Sequence, residues 1–313
     1  MILSVSRRTD IPAFYTEWFM NRLHEGYLYV KNPMNANQIS KVIITPEVVD
    51  CIIFWSKNPN PLIDRLDEID ALGYKYYFQF TVTPYDNTIE KALPDKSVIM
   101  KTFMQLSNKI GKDKVVWRYD PIILNDEFTI EYHIDAFGDM MSKLSGYTEE
   151  CIISFVDPYN KTKRHMGDHF TREISEIEMH IIAREFSKIA VKSKIELKTC
   201  AEKIELEEYG IDHASCIDRK RIESIINCHL SDKIKNDNQR DNCKCIQCID
   251  IGAYNTCKNN CLYCYATFNQ EEVVKNNKLH NPNSALLVGE SNNITKVTER
   301  KVESFKDFQT KFI

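Results

Sequence analysis

Six short apolar segments, each followed by a helical segment, constrain the fold of this chain more than any other feature. The segments are almost continuously apolar and rich in β-branched and aromatic residues, which is typical of strands covered on both faces. Their spacing leaves room for the crossover helices that parallel strands require. The six predicted strands are Ile2–Ser6, Cys51–Trp55, Tyr76–Thr83, Val115–Tyr119, Cys151–Val156 and Ile195–Thr199.

Helix signals fill the intervals between these strands. Helical spacing of apolar residues, with proline, serine or threonine at the start and glycine at several ends, predicts helices over Pro12–Gly26, Ile63–Leu72, Ser97–Gly111, Thr129–Leu144 and Ser175–Val191. We therefore predict an α/β fold, a partial (β/α) barrel with parallel strands. An open doubly wound sheet is the architectural alternative. No glycine spacing of the dinucleotide or P-loop type occurs.

Polar and charged residues follow each predicted strand. In a parallel α/β fold these strand ends meet on one face, where binding sites form. Our candidate catalytic residues there are Arg7, Asp10, Lys57 and Arg118. Arg7 and Asp10 follow the first strand together with Arg8, and guanidinium groups at this place can hold a carboxylate or phosphate. The alternative for each is an ion pair or a helix cap without a functional role, such as Arg118 paired with Asp120.

Composition and charge indicate the compartment and exclude some partners. Met1–Arg8 places apolar residues before basic ones, the reverse of a signal peptide, and no apolar stretch reaches the roughly 18 residues that span a bilayer. We expect a cytoplasmic protein without a membrane partner, in which clustered cysteines bind metals rather than form disulfides. The net charge of −4 gives no bulk footprint for nucleic acid, which stays possible only through a local basic groove.

Three of the eleven cysteines have the spacing C-x₃-C-x₂-C. They are Cys257, Cys261 and Cys264, with Tyr263 directly before the last. A short loop with this spacing can wrap three thiolates around three corners of a cubane iron–sulfur cluster. The fourth iron then stays open for another ligand, and thiolates are the soft ligands that such clusters select.

This motif resembles the radical S-adenosylmethionine superfamily. The resemblance implies that the three cysteines hold a [4Fe–4S] cluster whose open iron binds S-adenosylmethionine. The reduced cluster would cleave this cosubstrate to a 5′-deoxyadenosyl radical, with electrons from a reductant such as ferredoxin or flavodoxin. Tyr263 would then pack near the adenine, and we assign Asn58 and Tyr265 to cofactor binding as well.

Four further segments resemble a subgroup of uncharacterised proteins of that superfamily with the motif near the C-terminus. They are Ser6–Pro12, Phe54–Pro59, Trp117–Pro121 and Asp250–Cys257. The superfamily usually carries the cluster loop near the N-terminus, after the first barrel strand. We therefore predict that Ile249–Asn255 is the strand leading into the loop and that the barrel is circularly permuted, which the usual closeness of chain termini permits.

A second group of cysteines predicts an auxiliary cluster. Cys200, Cys216, Cys243 and Cys245 supply the four thiolates of a closed [4Fe–4S] site, with Cys248 as a possible replacement for one of them. The alternatives are a structural zinc site and buried free thiols.

These inferences divide the chain into three regions. Residues 1–205 form the predicted barrel core, 206–268 a cysteine-rich iron–sulfur region packed on it, and 269–313 a C-terminal extension. The predicted function is a radical S-adenosylmethionine enzyme of unknown substrate. The alternative is a non-catalytic, zinc-stabilised module that binds a ligand or nucleic acid.

Overall fold

The computed structural model describes residues 1–157, 159–170, 172–237, 243–289 and 297–307. Strands and helices alternate along most of this length, as the apolar periodicity predicts. The strands are β1 (Ile2–Val5), β2 (Tyr27–Asn32), β3 (Asn35–Ile43), β4 (Cys51–Ser56), β5 (Tyr76–Thr81), β6 (Val115–Ile122), β7 (Glu150–Phe155), β8 (Glu196–Thr199), β9 (Asp212–His213), β10 (Ile249–Asp250) and β11 (Val297–Glu299).

Eight of these strands form one parallel sheet in the order β10-β1-β4-β5-β6-β7-β8-β9. All six predicted strands belong to it, so the prediction of an α/β fold with parallel strands is confirmed. Strands β9 and β10 lie at the two edges and do not pair with each other within the described residues. The sheet is therefore large and parallel, without demonstrated closure into a barrel.

The helices lie where capping and spacing signals place them. Thr129 caps its helix through the Tyr132 amide, and Ser175 forms a capping box with Glu178. The predicted helix over Pro12–Gly26 is instead two helices that meet at Tyr15. The helices are α1 (Ile11–Phe14), α2 (Thr16–Glu25), α3 (Asn60–Ile63), α4 (Leu66–Ala71), α5 (Lys96–Ile110), α6 (Ile130–Leu144), α7 (Asn160–Met166), α8 (Glu176–Ser193), α9 (Arg219–Ile226) and α10 (Gln270–Lys278).

The two faces of the large sheet carry different cores, because side chains alternate along each strand. On one face, Phe54, Phe78 and Trp117 pack against the helices, and the rings of Phe137 in α6 and Phe186 in α8 stack at 3.9 Å. We call this the outer face. The other face, which we call the inner face, is covered by the part of the chain that follows β8. This part includes Ala214, Cys216 and Ile217, and also Ile222 of α9. Both faces are buried, which explains why the strands have no polar alternation.

Two elements outside the repeating units are absent from the sequence-based prediction. Strands β2 and β3 form an antiparallel pair that β11 extends on the other side of β3. Helix α10 lies in the predicted C-terminal extension, and its N-cap is Asn269. Residues 290–296 and 308–313 of that extension lie outside the described residues. Among the described residues, no helix combines the length and apolar character needed to cross a bilayer.

Strand β10 connects the far end of the chain to the first strand. Leu3 pairs with Ile249 and Ser4 with Asp250, in parallel register. Asp250 accepts hydrogen bonds from the hydroxyls of Ser4 and Ser6, at 2.9 and 2.6 Å. The cysteine motif begins a few residues later, so this pairing places it at the carboxyl ends of the parallel strands.

Candidate functional site

A cavity of about 490 Å³ lies at the carboxyl ends of the parallel strands. It brings together most of the residues that the sequence singles out. All four candidate catalytic residues, all seven candidate metal ligands, Tyr263 and Tyr265 line it, whereas Asn58 is not among the lining residues in the described part of the chain. The main polar lining residues are Arg7, Arg8, Thr9, Asp10, Lys57, Arg118, Asp120, Ser154, Asp157, Cys200, Cys216, Cys243, Cys245, Cys257, Asn259, Cys261, Tyr263, Cys264, Tyr265 and Thr267.

The segment 257–264, which we call the three-thiol loop, is fastened to the sheet by its backbone. The Leu262 amide donates to the Ile89 carbonyl at 3.0 Å, and the Ala92 amide donates to the Asn259 carbonyl at 3.2 Å. The Asn259 side chain donates to the Asp10 carboxylate at 3.1 Å. These contacts hold the loop between the segment that follows β5 and the end of β1.

Asp10 is buried and fully engaged by the protein. Its carboxylate accepts hydrogen bonds from the Ser56 hydroxyl at 2.7 Å and the Lys57 amide at 2.8 Å, besides those from the Ala13 amide and Asn259. Burial raises the pKa of Asp10, and these four donors oppose the rise. Asp10 thus joins the ends of β1 and β4 to the three-thiol loop, which makes it a positioning residue.

Glu90 is a buried carboxylate between two lysines, and sequence reasoning missed it. It accepts hydrogen bonds from Lys57 and the Thr83 hydroxyl, both at 2.7 Å, and from Lys96 and the Tyr263 hydroxyl. Burial alone would raise the pKa of Glu90, but the two ammonium groups outweigh it and hold the pKa at about 2. The ammonium of Lys57 also lies 5.3 Å from the centre of the Tyr263 ring.

Burial disfavours the thiolate form of two thiols in the three-thiol loop. Burial raises the pKa of Cys257 to about 12, although the backbone amides of Asn259 and Asp10 donate to its sulfur. Burial also raises the pKa of Cys261. A metal or cluster would displace these protons, and amide donors to a ligating sulfur are typical of iron–sulfur sites.

The second group of predicted ligands is brought together from segments distant in sequence. We call Cys200, Cys216, Cys243 and Cys245 the four-thiol group. The sulfurs of Cys200 and Cys216 are 3.2 Å apart. Cys216 also contacts Cys245, which in turn contacts Cys243. The side-chain hydrogen bond from Cys245 lowers the pKa of Cys243 to about 7.

Arg118 links the four-thiol group to the rest of the cavity. One nitrogen donates to the Cys216 sulfur at 2.9 Å and to the Gln79 side chain at 3.3 Å, and Nε donates to Asp120 at 3.0 Å. Its guanidinium carbon lies 5.5 Å from the centre of the Trp55 ring. These contacts fix the Arg118 guanidinium next to Cys216, one of the candidate metal ligands.

Arg7 is engaged in a similar way, by residues that precede the three-thiol loop. Its Nη2 donates to Asp237 at 2.7 Å and to the Cys248 sulfur at 3.0 Å, and its amide donates to Asp250 at 2.8 Å. Cys248 also donates to Asp237 at 3.7 Å. The structure thus pairs Cys248 with Arg7 and Asp237.

Soft sulfur is the common donor atom of both thiol groups. Among the described residues, no group of three or more histidine, cysteine, aspartate or glutamate side chains is arranged to hold one metal ion. Seven thiols line one cavity, and thiolates are ligands of zinc and of iron–sulfur clusters alike.

Two residues of the site had weak or no sequence signal. Asn259 lies inside the cysteine motif, so its role was open to inference. Glu90 lies in an irregular segment after β5, and only the folded chain shows that it meets Lys57 and Tyr263.

No curated protein matches this chain. A solved structure of a provisionally assigned alpha-L-fucosidase from Bacteroides thetaiotaomicron is 12% identical, covering 51% of this chain and 66% of that chain, with a TM-score of 0.28. A TM-score this low supports neither a shared fold nor a shared activity.

A family model does match, and it corrects one expectation from the sequence. The model is "Domain of unknown function (DUF1848)", and it matches residues 2–266. It is not a radical S-adenosylmethionine family, so the assignment of the chain to that superfamily is wrong. The cysteine spacing and the four further segments did not suffice to fix membership. Because the match covers most of its length, the chain belongs to the DUF1848 family.

Proposed function

We propose that this protein is an enzyme that binds an open-site [4Fe–4S] cluster and cleaves S-adenosylmethionine to act on a substrate not yet identified. The observation that carries the proposal is that Cys257, Cys261 and Cys264 line one cavity together with Lys57 and Tyr263. The proposal rests on the chemistry of these donors and not on membership of the radical S-adenosylmethionine superfamily.

The residues of the chain have defined tasks in this proposal. The three thiols of the three-thiol loop would hold the cluster. When bound, such a cluster would supply one electron for the cleavage of S-adenosylmethionine into methionine and a 5′-deoxyadenosyl radical. Lys57, held by Glu90, keeps a cation close to Cys261 and offsets the charge of the thiolates.

We infer that the four-thiol group holds an auxiliary [4Fe–4S] cluster. Four cysteines are the usual complement of a closed site. Both groups line the same cavity, which supports electron relay from a reductant such as ferredoxin or flavodoxin, or a role in holding the substrate. Arg118 would offset the negative charge of this second cluster, since it already donates to Cys216.

We further propose that the sheet is a partial (β/α) barrel with a circularly permuted strand order. The Cys216 carbonyl accepts hydrogen bonds from both Tyr77 at 2.7 Å and Gln79 at 2.9 Å, so chain that follows β8 lies against the inner face at β5. Strand β10 precedes the three-thiol loop and pairs with β1. This arrangement supports a barrel whose cluster-bearing strand comes last in the chain. An experimental structure with a flat sheet would contradict it.

The test is anaerobic purification and reconstitution with iron and sulfide, followed by an assay for 5′-deoxyadenosine in the presence of S-adenosylmethionine and a strong reductant. We expect release of 5′-deoxyadenosine by the wild type and none by Cys261→Ala. Cys228→Ala is the matched control, because Cys228 is half-buried and belongs to neither thiol group. Release that is unchanged in Cys261→Ala would reject the assignment.

Metal analysis of the same samples decides between the enzyme and the alternative function. Iron and acid-labile sulfide in protein prepared without oxygen support the enzyme. Stoichiometric zinc without iron would support a non-catalytic, zinc-stabilised module that binds a ligand or nucleic acid.

A further inference from the structure

Two buried hydroxyls on one wall of the cavity have no hydrogen-bond partner. Among the described residues, the side-chain oxygens of Thr9 and Thr267 are buried and unpaired, and both residues line the 490 Å³ cavity. The exposed fractions of the two residues are 4% and 1%. An unpaired buried hydroxyl destabilises a protein, so two of them beside one cavity indicate a ligand that completes their bonding.

The two hydroxyls belong to chain segments that meet around 252–255. A side-chain carbon of Thr9 lies 3.2 Å from where a Cβ on Gly252 would stand. On the other side, the Asn255 amide donates to the Ala266 carbonyl at 2.9 Å, directly before Thr267. The hydroxyls therefore lie on a common wall built on the segment that follows β10.

Arg8 adds an available cation to this wall. Its guanidinium packs 5.4 Å from the centre of the Tyr254 ring, and its nearest carboxylate oxygen, on Asp250, is 3.9 Å away. That distance is too long for a hydrogen bond. Asp250 already accepts four hydrogen bonds, from Ser4, Ser6 and the amides of Arg7 and Gly252.

Arg8 differs in this respect from the other arginines of the cavity. The guanidinium of Arg7 donates to Asp237 and Cys248, and that of Arg118 donates to Asp120 and Cys216. Among the described residues, the Arg8 side chain makes no hydrogen bond. A planar guanidinium with free donors, in a cavity that two residues with unpaired hydroxyls also line, matches the oxygens of an anion.

We propose that Arg8, Thr9 and Thr267 form an anion subsite that binds a carboxylate or phosphate group of the ligand in the cavity. The proposal goes beyond the proposed function and does not require a cluster. It predicts that replacing either threonine with valine stabilises the empty protein but weakens anion binding. Replacing the hydroxyl with a methyl group removes an unpaired polar atom from the empty protein and a hydrogen-bond donor from the occupied one.

The test measures binding of inorganic phosphate and, separately, of malonate by calorimetry at constant ionic strength, without S-adenosylmethionine. We expect saturable binding of one anion, and which one binds distinguishes phosphate from carboxylate. Arg8→Gln, Thr9→Val and Thr267→Val should each weaken it about tenfold or more, because hydrogen bonds to charged groups are strong. Arg8→Lys, which keeps the charge but loses the planar fork, should weaken it less than Arg8→Gln.

Melting temperatures of the empty proteins give a second readout. Thr9→Val and Thr267→Val should raise the Tm, whereas Thr148→Val, the matched control, should lower it. The buried hydroxyl of Thr148 donates to the Val115 carbonyl at 2.7 Å, and it lies outside the cavity. Thr148→Val should leave anion binding unchanged.

Three results would overturn the proposal. They are the absence of saturable binding of either anion, undiminished binding by Arg8→Gln, and a fall in Tm for both cavity threonine variants like that of Thr148→Val. Anion binding that persists in Cys261→Ala would show that the subsite is independent of the cluster. Failure of the cluster assay and failure of the anion subsite are thus separate outcomes.

Discussion

The three-thiol loop and the four-thiol group face the same cavity but are assembled in different ways. The loop takes its thiols from one segment, and its position depends on backbone hydrogen bonds and on Asp10 and Glu90. The four-thiol group takes Cys200 from the end of β8 and the rest from two later segments, and its thiols contact one another. The three-thiol loop is therefore positioned by contacts with residues outside the loop, which we call its clamp: Asp10 and Glu90. The four-thiol group depends on how three distant segments fold together.

The sharpest way to separate the two groups is to remove one thiol from the four-thiol group. Cys245→Ala should lose about four iron atoms per chain, the content of one [4Fe–4S] cluster, while the three-thiol loop keeps its own. Iron and sulfide analysis of the reconstituted variant measures this, with Cys228→Ala as the control. Full iron content in Cys245→Ala would remove Cys245 from the ligand set.

The clamp on the three-thiol loop is tested by Glu90→Gln. The exchange removes a buried negative charge and leaves Lys57 and Lys96 close together without it, so we expect a loss of about 3 kcal/mol in the free energy of unfolding. Urea denaturation of the metal-free protein measures the loss. Glu173→Gln, which breaks an exposed ion pair with Lys163, is the matched control and should change stability by less than about 0.5 kcal/mol. Equal effects of the two exchanges would show that Glu90 does not clamp the loop.

To compare how the two thiol groups retain iron in acid, the effect of pH on the stability of the fold itself must be known. His133 is buried between the Tyr119 hydroxyl and the Ile123 carbonyl, both at 2.8 Å, and burial lowers its pKa to about 4. The unfolded chain binds this proton near the ordinary pKa of about 6.5, so the native state loses stability as pH falls from about 6.5 to 4. Above about pH 6.5 His133 is neutral in both the native and the unfolded state, so its protonation does not change the free energy of unfolding.

The expected loss from His133 is about 1.4 kcal/mol per pH unit, or about 3 kcal/mol in total. The stability advantage of the wild type over His133→Gln should shrink by this amount between pH 6.5 and 4 in denaturant titrations. His229→Gln, at a highly exposed histidine, should leave the pH dependence as it is. An unchanged advantage would show that His133 takes up its proton in the folded protein at no cost in stability. Once the loss of stability due to His133 is known, any further loss of iron in acid is attributed to protonation of the thiols.

The difference between the two groups also explains what the sequence could predict. The parallel strands and most helices were predictable because both faces of the sheet are apolar and helix caps are local signals. The three-thiol loop was predictable from its spacing. The strand predicted over Ile249–Asn255 is present only over Ile249–Asp250, where it pairs with β1.

Other features depend on contacts between distant segments and had no local signal. The sequence shows Glu90 only as a carboxylate in a loop. In the fold it meets Lys57, which directly follows β4, Lys96 from α5 and Tyr263 from the three-thiol loop. The sequence likewise grouped Arg7 with Arg8. Only the fold shows that Arg7 is engaged while Arg8 has no side-chain hydrogen bond among the described residues.

The smallest expected effect comes from the junction between β10 and the three-thiol loop. A Cβ on Gly252 would stand 2.0 Å from the Ser6 hydroxyl oxygen and 2.7 Å from its Cβ. Gly252→Ala must therefore push the segment away from β1, at a cost of about 1–3 kcal/mol in the free energy of unfolding. Gly146→Ala is the control, since nothing lies within 4 Å of its Cβ position.

Because Gly252 leads only into the three-thiol loop, its exchange should affect the two groups unequally. Gly252→Ala should lower the iron retained by the loop, measured in a Cys245→Ala background where the loop holds the remaining cluster. The same exchange in a Cys261→Ala background should leave the iron of the four-thiol group unchanged. An equal loss in both backgrounds would mean that the strain spreads through β1 to the whole sheet, and that the two groups are not positioned independently.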